Sequence, residues 1–343
     1  MAEQKLPALA ITLGDPAGIG PEVALRALVA PRRLKARALL VGDVAATQAC
    51  IRRLKSPLRV VPMSLEDVVR EGVPSGSSVA LVPPGVKSPL PPLRATQRRP
   101  GKPGRAGAKV AFEAIRTSVH LAKLGVVGAL CTAPVSKEWF ARAGVARTGH
   151  TEILGKECGV DDVRMMMAVD DLRVVLATIH LPLRGVARAL DVDGIADTIE
   201  MTAEHLRRWW GIRRPRIAVA ALNPHAGDGG IYGDEEARII APALRRARRR
   251  GIAATGPYPA DTLFSALGPP ADAIIAMYHD QGLVPIKQRD VHRAVNVTLG
   301  LPFVRTSPDH GTAYDLAGKG RADPSSMRAA LELALELAPA HRR

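Results

Sequence analysis

Three separate apolar runs in this chain end in the same way, and that recurrence constrains the fold more than any other feature. Ala273 to Met277 runs into Tyr278-His279-Asp280-Gln281-Gly282, Leu172 to Ile179 into His180-Leu181-Pro182, and Ile217 to Leu222 into Asn223-Pro224-His225-Ala226-Gly227. An unbroken apolar run is how a strand reads when both faces of a parallel sheet are covered. In such sheets ligands gather beyond the carboxyl ends of the strands. If these strands are parallel neighbours, all three imidazoles line one edge of the sheet. Neutral imidazoles converging on one point, with positions left open, suit a catalytic divalent metal. A histidine at a strand end is also an ordinary hydrogen-bonded structural residue, and spacings this long are no ligand motif in themselves. Spacing leaves both readings open.

The remainder alternates strand and helix. Leu9 to Leu13, Leu39 to Asp43, Ser78 to Val82 and Val126 to Cys131 read as strands. Gly14-Asp15-Pro16-Ala17-Gly18-Ile19-Gly20-Pro21-Glu22 reads as a glycine-rich turn opening a helix to about Ala30. Such a turn can hold an anion on free N–H groups, but any tight strand-to-helix turn also needs glycine. It is neither a P-loop nor a GxGxxG fingerprint. Pro83 to Lys109 reads as a long basic surface loop, open to the reading of a mobile flap, before a helix to Leu124. Ser136 and Lys137 follow the next strand, either as a helix cap or as groups acting on a substrate. In Thr148-Gly149-His150-Thr151-Glu152, Thr151 is placed to cap a helix whose polar start suits a carboxylate or phosphate. Val163 to Val169 and the first histidine run form a hairpin at Asp170-Asp171. Asp191 to Trp210 and Asp234 to Arg250 are helical, Val295 to Gly300 is a strand, and Pro324 to Leu337 is a closing helix. The alternation predicts an α/β fold with a largely parallel sheet.

With 343 residues, 47% of them apolar, the chain has material for two domains or one large α/β unit. No apolar run approaches the roughly 20 residues of a membrane span. The start, Met1 to Lys5, carries no signal-peptide pattern. Three cysteines without CxxC spacing argue against a disulfide framework and fit a reducing cytoplasm. The net charge of +15 comes in short clusters: Arg32-Arg33-Leu34-Lys35, Arg52-Arg53-Leu54-Lys55, Arg98-Arg99 and Arg245 to Arg250. Aromatics are 3% of the chain and none interleave these clusters, so the charge reads as a solvated surface rather than a nucleic-acid interface.

Taken jointly, the Gly14–Glu22 turn, Gly149-His150-Thr151-Glu152, the three histidine segments and Thr306-Ser307-Pro308-Asp309-His310-Gly311-Thr312-Ala313 resemble the 4-hydroxythreonine-4-phosphate dehydrogenase family of pyridoxal phosphate biosynthesis. They occur in family order across nearly the whole chain. The resemblance implies two α/β/α domains with a cleft between them, like isocitrate and isopropylmalate dehydrogenases. Residues 1–133 with 300–343 would form one domain. Residues 134–299 would form the other, carrying the metal histidines and the dimer interface. It implies an NAD- or NADP-dependent oxidative decarboxylase of 4-phosphohydroxy-L-threonine in the cytoplasm. Paralogues act on 4-phosphothreonate, phosphoerythronate or cyclic diols. It implies a homodimer with the metal site completed across the interface, and neither a nucleic-acid nor a membrane partner. Mapped by motif, His180, His225 and His279 hold one divalent ion, with zinc, magnesium and cobalt left open. His150, Thr151, Lys287, Asn296 and Arg305 contact substrate, and Lys287 and His150 stand as candidates for the proton relay. No residue is thereby assigned to the nicotinamide cofactor.

Overall fold

The computed structural model describes residues 8–29, 38–74, 78–146 and 148–338. The basic cluster Arg32-Arg33-Leu34-Lys35 lies outside the described residues. The chain forms two compact units, Met1–Val163 with Leu301–Arg343, and Arg164–Gly300.

The first unit is built on six parallel strands: β1 (Leu9–Thr12), β2 (Ala38–Val41), β3 (Arg59–Pro62), β4 (Ser78–Val82), β5 (Ala129–Thr132) and β12 (Val304–Pro308). Their order is β3-β4-β2-β1-β5-β12. The central strands are buried on both faces, as their uninterrupted apolar runs require. Edge strand β3 is mostly exposed, which is why no apolar run announces it. The helix Arg105–Lys123 packs one stripe onto the sheet through Ala108, Ala111, Ala114 and Ile115.

The segment 134–163, expected in the second unit, belongs to the first. Phe140, Ile153 and Leu154 are buried in one cluster with Ala111, Ile115 and Val119. Burial of those side chains, rather than the Pro134 turn, decides where the unit ends. The loop after β4 is tied down along its length. Gly85 N–H donates to Thr117 Oγ1 at 2.9 Å, Leu93 N–H to Asp43 Oδ2 at 2.8 Å, and Gly101 N–H to the Ala17 carbonyl at 2.8 Å.

The second unit holds β6 (Arg164–Val169), β7 (Leu172–Leu176), β8 (Arg216–Ala220), β9 (Ala253–Tyr258), β10 (Ala273–Ala276) and β11 (Val295–Leu299). Their order is β11-β6-β7-β10-β8-β9. β6 pairs antiparallel with both β7 and β11, so the hairpin expected at Asp170-Asp171 is present, with Asp170 at φ 50°. β10 lies between β7 and β8 and is parallel to both. The three strands that lead to histidines are therefore immediate neighbours running the same way. The helix Val192–Trp210, capped by the Asp191 carboxylate on Gly194 N–H, covers this sheet with Ile195, Ile199, Ala203 and Leu206 buried. Among the described residues no helix is long and apolar enough to cross a membrane.

Candidate active site

In the second unit the backbone stays zipped beyond the ends of β7 and β10. Ala177 N–H donates to the Ala276 carbonyl at 2.8 Å and Thr178 N–H to that of Met277 at 3.2 Å. Thr178 Oγ1 adds a third bond to the Met277 carbonyl at 2.7 Å. This pairing delivers His180 and His279 side by side, with ring centroids 5.8 Å apart. His180 takes φ 26°, outside the comfortable region for a side-chain-bearing residue. His279 opens a helix, His279–Asp290, and its Nδ1 is 2.7 Å from Asp280 Oδ1. A carboxylate oxygen can only accept, so this bond puts the ring proton on Nδ1 and leaves the Nε2 lone pair for a metal. Both rings line a pocket of 440 Å³ together with Thr178, Leu183 and Tyr278. Gln281 locks the neighbouring strand ends. Its Oε1 accepts from Met277 N–H at 2.6 Å and its Nε2 donates to the Ala221 carbonyl at 2.7 Å.

The third histidine does not join this pair. After β8 the chain enters a left-handed turn in which His225, Ala226, Gly227, Asp228 and Gly229 all have positive φ. For each residue that carries a side chain this costs roughly 1–2 kcal/mol. The His225 ring faces Tyr232 instead, centroids 6.2 Å apart. Beneath the turn sits Glu236, a buried carboxylate at the head of a widened helical turn, Glu236–Ile240. The expected helix from Asp234 to Arg250 thus divides into this wide turn and a helix Ala241–Arg249. Pro242, which has no N–H to donate and whose ring crowds the preceding turn, accounts for the widening.

Two imidazole nitrogens, one oriented by a carboxylate, form a donor set that fits a borderline divalent ion. Ring centres on the order of 5–6 Å apart are what bonds of about 2.0–2.1 Å to one ion require. Among the described residues no group of three His, Cys, Asp or Glu side chains is gathered that could hold a metal, so the pair needs a further ligand.

Lys287 and Asn296 lie on the same unit. Lys287 is exposed, eight residues after His279 on the same helix and so roughly 12 Å further along it. Asn296 is on β11, opposite Met167 of β6, and its Oδ1 is buried without a hydrogen-bond partner.

The first unit carries the remaining predicted residues. Arg305 of β12 is 2% exposed, and its Nε and Nη2 donate to Thr132 Oγ1 of β5 at 3.2 and 2.6 Å. Burial pulls its guanidinium down to about 10. His150 opens the helix His150–Cys158. Its Nε2 is covered and has no hydrogen-bond partner. Burial, then the Arg305 and Lys137 cations, hold its pKa well below the usual histidine value, so the ring is neutral at pH 7. Thr151 does not cap this helix. The cap is Gly149, whose N–H donates to Glu152 at 3.1 Å, and Thr151 sits inside the first turn. Lys137 lies across Gly149 so closely that a Cβ there would come within 2.7 Å of its Cε. Ser136 caps its own helix on Trp139 N–H.

The glycine-rich turn Gly14–Glu22 uses its N–H groups internally. Ala17 N–H donates to Asp15 Oδ1 at 2.9 Å, Gly18 N–H to the Asp15 carbonyl and Ile19 N–H to the Thr312 carbonyl. Asp15 Oδ2 also accepts from the Tyr314 hydroxyl at 2.7 Å, and Glu22 accepts the N–H groups of Gly320 and Ala322. The turn is a clamp on the 312–322 segment rather than an anion cradle. Sequence reasoning passed over Gln281, Asn223 and Glu236 as strand-end anchors. The signal for the last two was an Asn directly after an apolar run with a Glu-Glu pair twelve residues on.

Known proteins carry the same arrangement of segments. Residues 35–334 match the family model of pyridoxal phosphate biosynthetic protein PdxA. A 4-hydroxythreonine-4-phosphate dehydrogenase of Desulfosudis oleivorans is 45% identical over 97% of this chain and 96% of its own. A crystal structure of 4-hydroxythreonine-4-phosphate dehydrogenase from Klebsiella pneumoniae superposes with a TM-score of 0.86 at 37% identity, covering 97% of this chain and 99% of its own. That of a terephthalate 1,2-cis-dihydrodiol dehydrogenase from Burkholderia xenovorans gives 0.65 at 27% identity over 96% and 98%. By model match and by full-length identity, the chain belongs to the PdxA family.

Proposed function

We propose that this chain catalyses the NAD- or NADP-dependent oxidative decarboxylation of 4-phosphohydroxy-L-threonine to 3-amino-2-oxopropyl phosphate and carbon dioxide, on the route to pyridoxal 5′-phosphate. It works as a cytoplasmic homodimer with one divalent ion per site. The observation that carries the reading is the pair His180 and His279, brought to 5.8 Å by zipped parallel strands in a chain of this family. When bound, the ion supplies Lewis acidity to the substrate hydroxyl, and the nicotinamide supplies a hydride acceptor. Imidazole donors favour zinc or cobalt over magnesium.

The chain's own residues bind and orient. Arg305 offers a buried, unscreened cation to an anionic group of the substrate. His150, held neutral, can take or return a proton at an imidazole nitrogen, and Thr151 adds a hydroxyl in the same helical turn. Lys287 offers a second cation. Asn296 turns a covered amide oxygen to a substrate donor. Because His180 and His279 are neighbours in one chain, His225 is the ligand that a second copy would contribute.

Purified protein assayed with NAD and NADP should turn over 4-phosphohydroxy-L-threonine, lose activity to a chelator and regain it with zinc or cobalt. Turnover of 4-phosphothreonate, phosphoerythronate or a cyclic diol acid alone would overturn the substrate assignment. Likeness to the dihydrodiol dehydrogenase favours the cyclic diol as the alternative. A second test mixes inactive subunits under conditions of exchange. His180→Ala with His225→Ala should restore up to about a quarter of wild-type activity, since half the random dimers are mixed and each has one intact site. His180→Ala with His279→Ala should restore none. The reverse pattern overturns the assignment of His225 to the second copy.

A further inference from the structure

The left-handed turn that carries His225 needs something to hold it, because each side-chain-bearing residue in it would relax to negative φ if released. Beside the backbone bonds that close it, from Tyr232 N–H to the Gly227 carbonyl and from Ile231 N–H to that of Asp228, one buried carboxylate grips the strand end from which it starts. Glu236 Oε1 accepts from both Leu222 N–H and Asn223 N–H, each at 2.8 Å, and Oε2 accepts from Asn223 Nδ2 at 3.0 Å. Glu235 Oε2 takes the other Nδ2 proton at 2.8 Å. Asn223 is thus fixed by backbone and side chain two residues before His225. The fit leaves no space for a side chain on either adjoining glycine. A Cβ at Gly233 would lie 2.5 Å from Asn223 Nδ2, and one at Gly227 would lie 2.9 Å from Glu236 Oε2. Both glycines also have positive φ, so chemistry and space ask for glycine together.

We propose that Glu236 is a positioning residue for His225: by gripping the strand end through Leu222 and Asn223, it sets the turn from which the imidazole reaches a divalent ion. The inference rests on the metal reading of the three histidines. A turn needing only to be filled would be served by an apolar side chain, which costs less to bury than a carboxylate. Glu236 is 6% exposed and its partners are amide N–H groups, an arrangement that fixes direction as well as volume. Groups that hydrogen-bond a metal ligand commonly alter metal affinity about 10- to 100-fold when removed, and Glu236 sets this ligand one step back, through the turn that carries it.

The test uses chelator-stripped full-length protein and Zn²⁺ alone, titrated against a chromogenic chelator. Glu236→Ala and His225→Ala should each weaken Zn²⁺ binding about 10- to 100-fold. The double variant should be no weaker than His225→Ala, because Glu236 acts only through that ring. Glu236→Gln keeps the volume but sets an amide N–H₂ against a donor, so its affinity should fall between wild type and Glu236→Ala. This variant carries the test if Glu236→Ala does not fold. In the metal-free state Glu236→Gln should speed amide hydrogen exchange at Leu222, Asn223 and 225–230 while leaving β8 unchanged. Wild-type Zn²⁺ affinity in Glu236→Ala and Glu236→Gln, with His225→Ala still weakened, would overturn the inference and spare the metal reading. Additive losses in the double variant would do the same. Wild-type affinity in His225→Ala would instead overturn the metal reading, and this inference with it.

Discussion

Replacing Arg305 by Met separates what this side chain does for the fold from what it does for a ligand. The guanidinium sits between β12 and β5, 2% exposed, bonded to Thr132 Oγ1. Its fall from the ordinary arginine value to about 10 corresponds to about 3 kcal/mol of unfavourable burial of the charge. The sign follows from linkage. The unfolded chain holds that proton more tightly, so below about pH 10 the charged form weakens the fold, and the penalty fades only as pH rises from about 10 toward the ordinary arginine value. Methionine fills most of the same volume without a charge. It gives up bonds to Thr132 that contribute about 1.5–3 kcal/mol to a charged donor. The two effects nearly cancel, so the ligand-free Arg305→Met protein should melt within a few degrees of wild type, or above it.

Binding should respond in the opposite sense. A charge-assisted hydrogen bond to a phosphate or carboxylate in a dry site contributes about 1.5–3 kcal/mol, so KM for the phosphorylated substrate should rise roughly 10- to 100-fold while KM for the nicotinamide cofactor stays put. Calorimetric melting gives the first quantity and steady-state kinetics the second. A variant that melts much lower than wild type and loses both KM values together would refute the argument, because Arg305 would then be a structural residue.

Two further outcomes follow from the geometry. Asp280→Ala removes the carboxylate on His279 Nδ1; because Asp280 is itself exposed, Zn²⁺ affinity should fall only about tenfold, the low end for such partners, and an unchanged affinity in the chelator competition would count against the pair as a metal site. His205 is held neutral by burial, with Nδ1 2.8 Å from the Met201 carbonyl and Nε2 accepting Gly300 N–H at 3.0 Å; stability should therefore be full above about pH 6.5 and drop as pH falls below it, and His205→Gln should melt lower at pH 7.5 but with a shallower acid slope, whereas parallel melting curves between pH 5 and 7.5 would refute it.

The strands that lead to histidines were legible because burial on both faces writes itself as an apolar run. Edge strands were not. β3 is mostly exposed, and β9 is interrupted by Gly256 and Pro257, so neither shows a period. The helix His279–Asp290 was hidden for a different reason: Pro285 lies within it, and Lys287, Gln288, Arg289 and Asp290 blur its apolar stripe. The boundary at Val163 could not be read at all, since it depends on where Phe140 and Ile153 find partners. At the site, sequence placed the three histidines in equivalent strand-end positions, and the structure gathers only two of them. The bonds between the ends of β7 and β10 keep two of them together, while a run of left-handed residues, invisible to periodicity, turns the third away.

The surplus of positive charge, +15 over the whole chain, needs to be set apart from the buried cation proposed to meet the substrate, Arg305. Exposed arginines act through water and counterions, and at physiological salt their reach is about 8 Å. They can raise the rate at which an anion arrives, but they cannot tell one anion from another. Arg305 differs in each respect. It is buried, so salt screens it little. Its planar fork is aimed by Thr132, so it selects geometry as well as sign. Burial first, and then its charge with that of Lys137, holds His150 neutral, so on the proposed reading anion binding and proton transfer would share one residue. On that reading an anion bound at Arg305 would offset the part of the His150 depression that this cation causes, raising the basicity of the ring while burial still lowers it. The single guanidinium would thereby link occupancy of the proposed anion site to the protonation of the group beside it, which a surface charge, however large in sum, has no means to do.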